Sequence, residues 1–166
     1  MPEIVFDSCC LSNFALSDSL FILESLYGSS PLITEFVSAE ILRGIQNGHT
    51  NLAKIQDSIK KGRIGEISLI TSDEKTLFSS LSISLGLGEA SSIAIAKTRG
   101  FRFASDDKIA RKEASRLDIL ITGTLGILKK AVLNNHVALE MGEIILSKMI
   151  SQGFYSPIKS LREIET

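Results

Sequence analysis

The sequence is poor in the residues that support disulfide, zinc and thiol chemistry. Its 166 residues include no tryptophan, three prolines, two cysteines and two histidines. Cys9 and Cys10 are adjacent in the sequence, and adjacent cysteines rarely bridge each other, so we interpret them as reduced, partly buried thiols. His49 and His136 are far from this pair along the chain. The pattern therefore favours neither a Cys–His nucleophile nor a zinc site.

Neither sign of charge is in excess, and long apolar runs are missing. The formal net charge of −1 argues against a protein that coats nucleic acid over its whole surface, although it allows a local basic patch. No apolar segment reaches the roughly 18 residues of a membrane span. The opening "MPEIVFD" lacks the basic and apolar regions of a signal peptide. We therefore expect a cytoplasmic protein with no membrane association.

Short apolar runs alternate with helical patterns along the chain. Hydrophobic residues make up 44%, and the length suits one domain (1–166), with a core over 3–135 and a helical C-terminal segment over 139–166. Strands are predicted at 3–7, 31–34, 64–70, 101–105 and 118–122. Helices are predicted at 20–27, 35–45, 50–60, 71–82, 88–100, 106–117, 123–134 and 139–152. This order indicates an α/β fold whose mostly parallel sheet of four to five strands is flanked by helices.

Acidic residues follow two of the predicted strands. Asp7 ends the first strand, and Asp106 and Asp107 end the fourth. If these strands are neighbours, their acids meet at the carboxyl edge of the sheet, where sites form in such folds. Glu40, inside an apolar helix, and Glu89, at the start of another, are candidates for the same edge. Each acid has an ordinary alternative role as a turn cap, a helix N-cap or a solvated helix charge.

A cluster of four or five carboxylates points to a metal ion. Crowded carboxylates repel and raise each other's pKa, so such a cluster persists most easily around a cation. Ligands that are all oxygen favour Mg²⁺ or Mn²⁺ over zinc. A magnesium ion held by carboxylates commonly acts on phosphate esters.

Four segments, in order, resemble the motifs of the PIN-domain ribonucleases. They are "VFDSCCLSNF", "VSAEILRGI", "LGLGEASSIAIAKTRG" and "FRFASDDKIARKEASRLDILITGTLGILKKA". The last two are similar to a VapC-type subgroup found in prokaryotic toxin–antitoxin loci. The resemblance covers roughly residues 3–135. It implies a three-layer PIN-like fold and a Mg²⁺- or Mn²⁺-dependent endonuclease that acts on RNA, in many members a toxin neutralised by a small antitoxin.

The resemblance also assigns the site. It implies catalytic roles for four acids: Asp7, Glu40, Glu89 and Asp107. The expected metal ligands are Asp7, Glu89, Asp106 and Asp107. The family often has Thr, any residue, Asp in its fourth motif, which on "SDD" makes Ser105 the hydroxyl and Asp107 the ligand; a shift of one residue selects Asp106 instead. Many related toxins have Asp where this chain has Glu89.

Basic residues next to these acids suit an RNA substrate. Residues 97–130 contain nine of the 18 lysines and arginines. Lys108, Arg111 and Lys112 lie on one side of the predicted helix at 106–117 and are candidates to bind phosphates, together with the hydroxyls of Ser8 and Ser105. The alternative is an ordinary solvated helix face. The family likeness further implies a homodimer, and we expect an antitoxin to contact the apolar helices within 20–45.

Two other functions compete with a nuclease. One is a catalytically inactive PIN-like module that binds RNA or a protein partner. The other is a phosphoacceptor receiver domain, which needs an acidic pair after its first strand. This chain has only Asp7 there, and its acidic pair follows the fourth strand instead.

Overall fold

The computed structural model describes residues 3–163. Residues 1, 2 and 164–166, which the sequence analysis assigned to the same domain, lie outside the described residues. The strands are β1 (Ile4–Phe6), β2 (Pro31–Thr34), β3 (Gly65–Ile67), β4 (Arg102–Ala104) and β5 (Ile121–Thr122). The helices are α1 (Ser8–Leu16), α2 (Phe21–Tyr27), α3 (Glu35–Gln46), α4 (Ala53–Lys60), α5 (Ser72–Leu81), α6 (Leu87–Arg99), α7 (Lys108–Arg116), α8 (Thr124–Leu133) and α9 (Leu139–Ser151). One-turn 3₁₀ helices cover Thr50–Leu52 and Leu161–Glu163.

The five strands form one sheet in the order β3-β2-β1-β4-β5, and every pairing is parallel. The neighbours β1 and β4 pair Phe6 with Ala104. This pairing places the residues that follow the two strands side by side, because parallel strands end at the same edge. The proximity of the Asp7 and Asp106–Asp107 segments, expected from the sequence, follows from this register.

Apolar side chains cover both faces of the sheet and create three layers. Ile4 and Phe6 share one face, which packs on α1, α2, α8 and α9. Phe103 points to the other face and packs on α5, α6 and α7, since successive residues of a strand alternate between faces. Burial of each large apolar side chain contributes about 1.5–3 kcal/mol. The predicted α/β PIN-like three-layer fold with a parallel sheet is confirmed.

The largest difference from the sequence-based prediction is α1, a helix that we did not expect. Its sequence, SCCLSNFAL, is rich in weak helix formers. Packing stabilises it instead, because Cys10, Leu11 and Phe14 are fully buried. The predicted helix at 106–117 also begins later than expected, at Lys108, because Asp107 is its N-cap and Asp106 lies before it.

The strands are shorter than the apolar runs that predicted them. Only Ile121 and Thr122 of the run at 118–122 pair as β5. Asp118 has a positive φ of 59°, a conformation that ends α7 and cannot continue a strand. In the run at 64–70, only Gly65–Ile67 pairs with β2.

No single helix among residues 3–163 is long and apolar enough to cross a membrane. The pair α1 and α2 meets the length and apolarity criteria only when taken together, and it is bent by 118° at the break.

Candidate metal centre at the carboxyl edge of the sheet

Asp7 lies at the end of β1 and connects that strand to two other parts of the edge. Its Oδ1 accepts a hydrogen bond of 2.7 Å from the backbone N–H of Cys10 and so caps α1. Its Oδ2 accepts a short hydrogen bond from the hydroxyl of Ser105, directly after β4. Only 3% of Asp7 is exposed. The cap interpretation and the site interpretation of Asp7 are therefore compatible.

Ser105 links Asp7 to Asp107. The Ser105 hydroxyl is fully buried, and besides donating to Asp7 it accepts a hydrogen bond of 3.1 Å from the backbone N–H of Asp107. The Asp107 carboxylate caps α7 by accepting 2.8 Å from the N–H of Ala110, and its side chain is exposed. One hydroxyl thus bonds the carboxylate of Asp7 and the backbone of Asp107.

Glu40 reaches the edge from the middle of α3. Ser8 donates a hydrogen bond of 2.7 Å to its Oε2, and the backbone N–H of Gly88 donates one of 3.2 Å to its Oε1. Ser8 opens α1 and Gly88 lies in the first turn of α6. The carboxylate of Glu40 therefore joins three helices, which a solvated helix charge would not do.

Glu89 occupies the first turn of α6, where a negative charge suits the helix dipole. Its pKa is raised, first because the side chain is half buried and second because the charge of Asp107 is close, with a smaller contribution from Glu40. A hydrogen bond from the backbone of Gly86 opposes this rise. Glu89 therefore lies within electrostatic reach of Glu40 in α3 and of Asp107, the N-cap of α7.

The carboxylate of Asp106 accepts more hydrogen bonds than that of its neighbour Asp107. The backbone N–H of Thr124 donates 2.8 Å to its Oδ1, and the hydroxyl of Thr124 donates to its Oδ2. Asn13 of α1 adds a bond of 3.3 Å from Nδ2 to the same Oδ2. Gly123 allows this packing, because a Cβ there would lie 2.6 Å from Asp106 Oδ1.

The five carboxylates form one electrostatic unit. Burial raises the pKa of Asp7 to about 7, and the charges of Asp106 and Glu89 add to the rise, although the hydrogen bonds from Ser105 and Cys10 oppose it. Cys9 is exposed and not partly buried as predicted, yet the pKa of its thiol is raised, first by partial desolvation and then by the nearby charges of Asp7 and Glu40. The edge of the sheet is therefore a negative pocket in which one acid resists ionisation near neutral pH.

This acidic edge suits a divalent cation by charge and by donor chemistry. Its potential metal ligands are carboxylate and hydroxyl oxygens, which Mg²⁺ and Mn²⁺ prefer. A bound cation would favour the ionised form of Asp7. Within residues 3–163, no three side chains of His, Cys, Asp or Glu lie in an arrangement that could already hold a metal ion. The carboxylates are instead turned toward protein donors, as described above. Binding of an ion would therefore require some of them to turn.

The basic residues next to the site differ in whether their side chains bind protein groups or are exposed to solvent. Arg111 is tied to the fold, since its Nη1 donates to the carbonyls of Ser105 (2.8 Å) and Thr122 (2.9 Å). Lys108 and Lys112 are exposed one helical turn apart on α7, next to Asp107. Several other bases of the 97–130 window bind protein groups, including Lys97 (Leu117 carbonyl), Arg99 (Glu74) and Arg116 (Glu113). The local basic surface is therefore narrower than the sequence suggests.

A protein-family model described as a PIN domain matches residues 3–165 of this sequence. The chain belongs to the PIN-domain family. PIN domains are generally nucleases that use divalent metal ions, which agrees with a nuclease-type fold whose acids share one edge. A search of curated proteins finds no match to this PIN domain.

The role of Asn13 in this PIN domain was not predicted, because α1 was not expected from the sequence. A signal was present: Asp7 precedes apolar residues at positions 10, 11, 14 and 15, the spacing of one buried helix face behind an N-cap. Thr124 is fully buried and donates to Asp106. Its hydroxyl therefore faces the interior of the fold.

Proposed function

We propose that this PIN domain is a Mg²⁺- or Mn²⁺-dependent endoribonuclease. The observation that carries the proposal is the meeting of Asp7, Glu40, Glu89 and the pair Asp106–Asp107 at one edge, with a pKa of about 7 for Asp7. These residues would hold the ion. A bound ion would polarise the phosphoryl oxygen and lower the pKa of a water molecule. The site needs no His or Cys base for this chemistry.

The hydroxyls and bases around the acids have supporting roles in the proposal. Ser105 orients Asp7, and Ser8 orients Glu40, through the hydrogen bonds described above. Lys108 and Lys112 would bind RNA phosphates beside the acids, because they are exposed on the helix that Asp107 caps. Arg111 would contribute its charge from a fixed position. RNA as the substrate rests on the resemblance of the four motifs to the PIN-domain ribonucleases.

We further propose that residues 3–163 act as one domain and that the protein is the toxin of a toxin–antitoxin module. The motif resemblance supports the toxin role, with a small antitoxin and a homodimer as the expected partners. A second candidate is a catalytically inactive module that binds RNA or a protein. It is favoured by one observation: no three potential ligand side chains among residues 3–163 already converge on a metal position.

Cleavage assays test the proposal directly. Purified protein is incubated with a mixture of structured and unstructured RNAs in Mn²⁺, in Mg²⁺ and in chelator, beside the Asp7→Asn variant and a matched control, Glu140→Gln, in the exposed first turn of α9. We expect cleavage by the wild type and by the control in metal only, and none by Asp7→Asn. Cleavage that persists in chelator and in Asp7→Asn contradicts the metal proposal. RNA binding without cleavage in either metal supports the inactive module.

The toxin role has its own test. Induced expression of the wild type in bacterial cells should arrest growth, and Asp7→Asn should not. Co-expression of a small protein encoded beside this gene should relieve the arrest and co-purify with the PIN domain. Growth that is unaffected by an active nuclease would remove the toxin role without affecting the enzyme proposal.

A further inference from the structure

Phe36 is a large aromatic side chain on α3 that takes no part in the two apolar cores that cover the sheet within residues 3–163. It is partly exposed. Its ring stacks on that of Phe78 in α5, with centroids 5.0 Å apart and an angle of 24° between the planes. Phe78 itself packs on the core that α5, α6 and α7 cover. One face of the Phe36 ring is therefore supported by a second ring, and the other face is turned away from it.

This pair of rings, Phe36 and Phe78, forms an aromatic step beside the acidic edge. Phe36 lies on the same face of α3 as Glu40, because residues four apart on a helix are neighbours, with Cβ atoms about 5–6 Å apart. Glu40 accepts a hydrogen bond from Gly88, and Leu87, the residue before Gly88, is 50% exposed. The proposed metal chemistry requires no aromatic ring at this place.

Two cationic side chains flank the aromatic step. Arg43 follows Glu40 by three residues on the same face of α3, and Lys75 precedes Phe78 by three residues on α5. Both are exposed. Cations around an apolar surface suit a ligand that is flat and uncharged in the middle and anionic on both sides. A single strand of nucleic acid has this composition, because each base lies between phosphates.

We propose that the aromatic step binds an unpaired nucleobase of the RNA, stacked on Phe36, while Arg43 and Lys75 contact the neighbouring phosphates. The proposal rests on the proposed endoribonuclease function and adds a contact that selects unpaired nucleotides without reading their sequence, since every base has a face that can stack. A protein partner fits this surface less well. A stable protein interface takes roughly 20–30 residues on each side, and the step offers two rings beside one leucine.

Two probes separate contacts to bases from contacts to phosphates. They are a labelled single-stranded oligoadenylate and a chain of equal length that lacks the bases. Fluorescence anisotropy measures the Kd for each in the Asp7→Asn background. We expect Phe36→Ser to weaken binding of oligoadenylate by about tenfold, within the range for one stacked base, and to leave binding of the abasic chain unchanged.

Three further variants complete the comparison. Phe36→Tyr keeps the ring and should retain the affinity for oligoadenylate. Phe21→Ser removes a phenylalanine of α2 that is 48% exposed, and as the matched control it should change neither Kd. Arg43→Ala with Lys75→Ala should weaken binding of both probes alike, because both contain the phosphates. If Phe36→Ser does not fold, Phe36→Leu replaces it with the same expected result, since leucine keeps apolar bulk but has no ring.

Other outcomes overturn the proposal. It is wrong if Phe36→Ser weakens binding of both probes equally or of neither, or if the Asp7→Asn protein binds the two probes equally well. A change of oligomeric state in Phe36→Ser but not in Phe21→Ser, measured by sedimentation velocity, assigns the step to a contact between copies and also overturns it.

Failure of the stacking site is distinguishable from failure of the proposed function. A wild type that cleaves RNA, with normal oligoadenylate binding by Phe36→Ser, removes the stacking site alone. If the wild type cleaves RNA but neither probe binds, the RNA that it cleaves, with and without the bases next to the cut, replaces the probes. A protein that binds neither probe and cleaves no RNA contradicts the proposed function itself, and the stacking proposal falls with it.

Discussion

The N–H of Gly88 donates a hydrogen bond to Glu40 Oε1, and a Cβ at position 88 would lie 2.5 Å from that same oxygen. The first turn of α6 therefore approaches the Glu40 carboxylate as closely as a backbone without a side chain allows. The backbone of Gly88 is helical, so glycine is not needed here for a positive φ. It is needed because it allows the close approach. The contact joins α3 to the helix that carries Glu89.

Gly88→Ala should displace the Glu40 carboxylate and reduce RNA cleavage. The displaced carboxylate loses its hydrogen bonds to Gly88 and Ser8. A shift of about 1 Å in a catalytic group can reduce the rate about a hundredfold. The cost in stability should be only about 1 kcal/mol, because the tip of the Glu40 side chain can turn away. Cleavage rates and urea unfolding of the variant measure the two effects.

Gly86→Ala is the matched control for that substitution. A Cβ at position 86 would lie 4.0 Å from Glu89 Oε2, an ordinary van der Waals contact, and the φ of −63° suits alanine. We expect nearly full activity from this variant. Equal loss in both variants would mean that the helix start, and not the contact with Glu40, matters for activity.

Asp7→Asn should stabilise the metal-free protein above neutral pH. The folded pKa of Asp7, about 7, lies above its ordinary value of 3.8, so the folded state binds more protons than the unfolded state between these values. Stability of the wild type therefore decreases as pH rises from about 4 to about 7. Asparagine, which does not ionise, removes this loss of at most about 4 kcal/mol.

Chemical unfolding of both proteins in chelator between pH 4 and pH 9 checks this prediction. The difference in unfolding free energy should be near zero at pH 4, grow up to pH 7 and then level off. Glu140→Gln serves as the surface control and should show no such growth. A difference that is constant with pH would show that the pKa of Asp7 is not raised in the folded protein.

Glu74→Gln should destabilise the fold without affecting the acidic edge. Glu74 is buried, caps α5 and accepts 2.7 Å from Arg99 Nε. The hydrogen bond from Arg99 lowers its pKa to about 2, from an ordinary 4.5. The stabilisation is therefore present above pH 4.5 and is lost as pH falls toward 2. We expect a loss of roughly 3 kcal/mol at pH 7.

Urea unfolding at pH 7 and at pH 3 measures the stability that Glu74→Gln loses relative to the wild type. This loss should be smaller at pH 3. Mn²⁺ affinity at pH 7 should remain that of the wild type. A variant as stable as the wild type at pH 7 would refute the role of the Glu74–Arg99 pair.

The double variant Lys108→Ala with Lys112→Ala should weaken RNA binding and reduce its salt dependence. Each phosphate contact to a single strand contributes about 0.7 to the slope of log K against log salt, so the slope should decrease by about 1.4. The measurement uses the Asp7→Asn background, in which RNA is expected to stay intact, with fluorescence anisotropy over a salt series. Lys60→Ala with Lys61→Ala, at the end of α4, is the control pair, and an equal change there would remove the assignment to α7.

Much of the fold was predictable because its strands and helices carry strong local signals. The run IVF before Asp7 is buried at every position, and Thr71 with Glu74 forms a capping box at the start of α5, a signal that lies within four consecutive residues. Helix α1 was not predictable from propensity, since its stability comes from contacts with distant apolar residues. The late start of β5 within the run at 118–122 depended on the positive φ of Asp118, which no local pattern required.

The sequence by itself determined an α/β protein with acids placed after β1 and β4, because hydrophobic periodicity and the position of a charge after an apolar run are local properties. Only the tertiary structure decided what each acid touches. Asp106 and Asp107 are adjacent in the chain, yet one is bound to α1 and α8 and the other caps α7. Side-chain partners depend on which elements the parallel register brings together. Contacts between residues far apart in the sequence produce no periodic pattern in it.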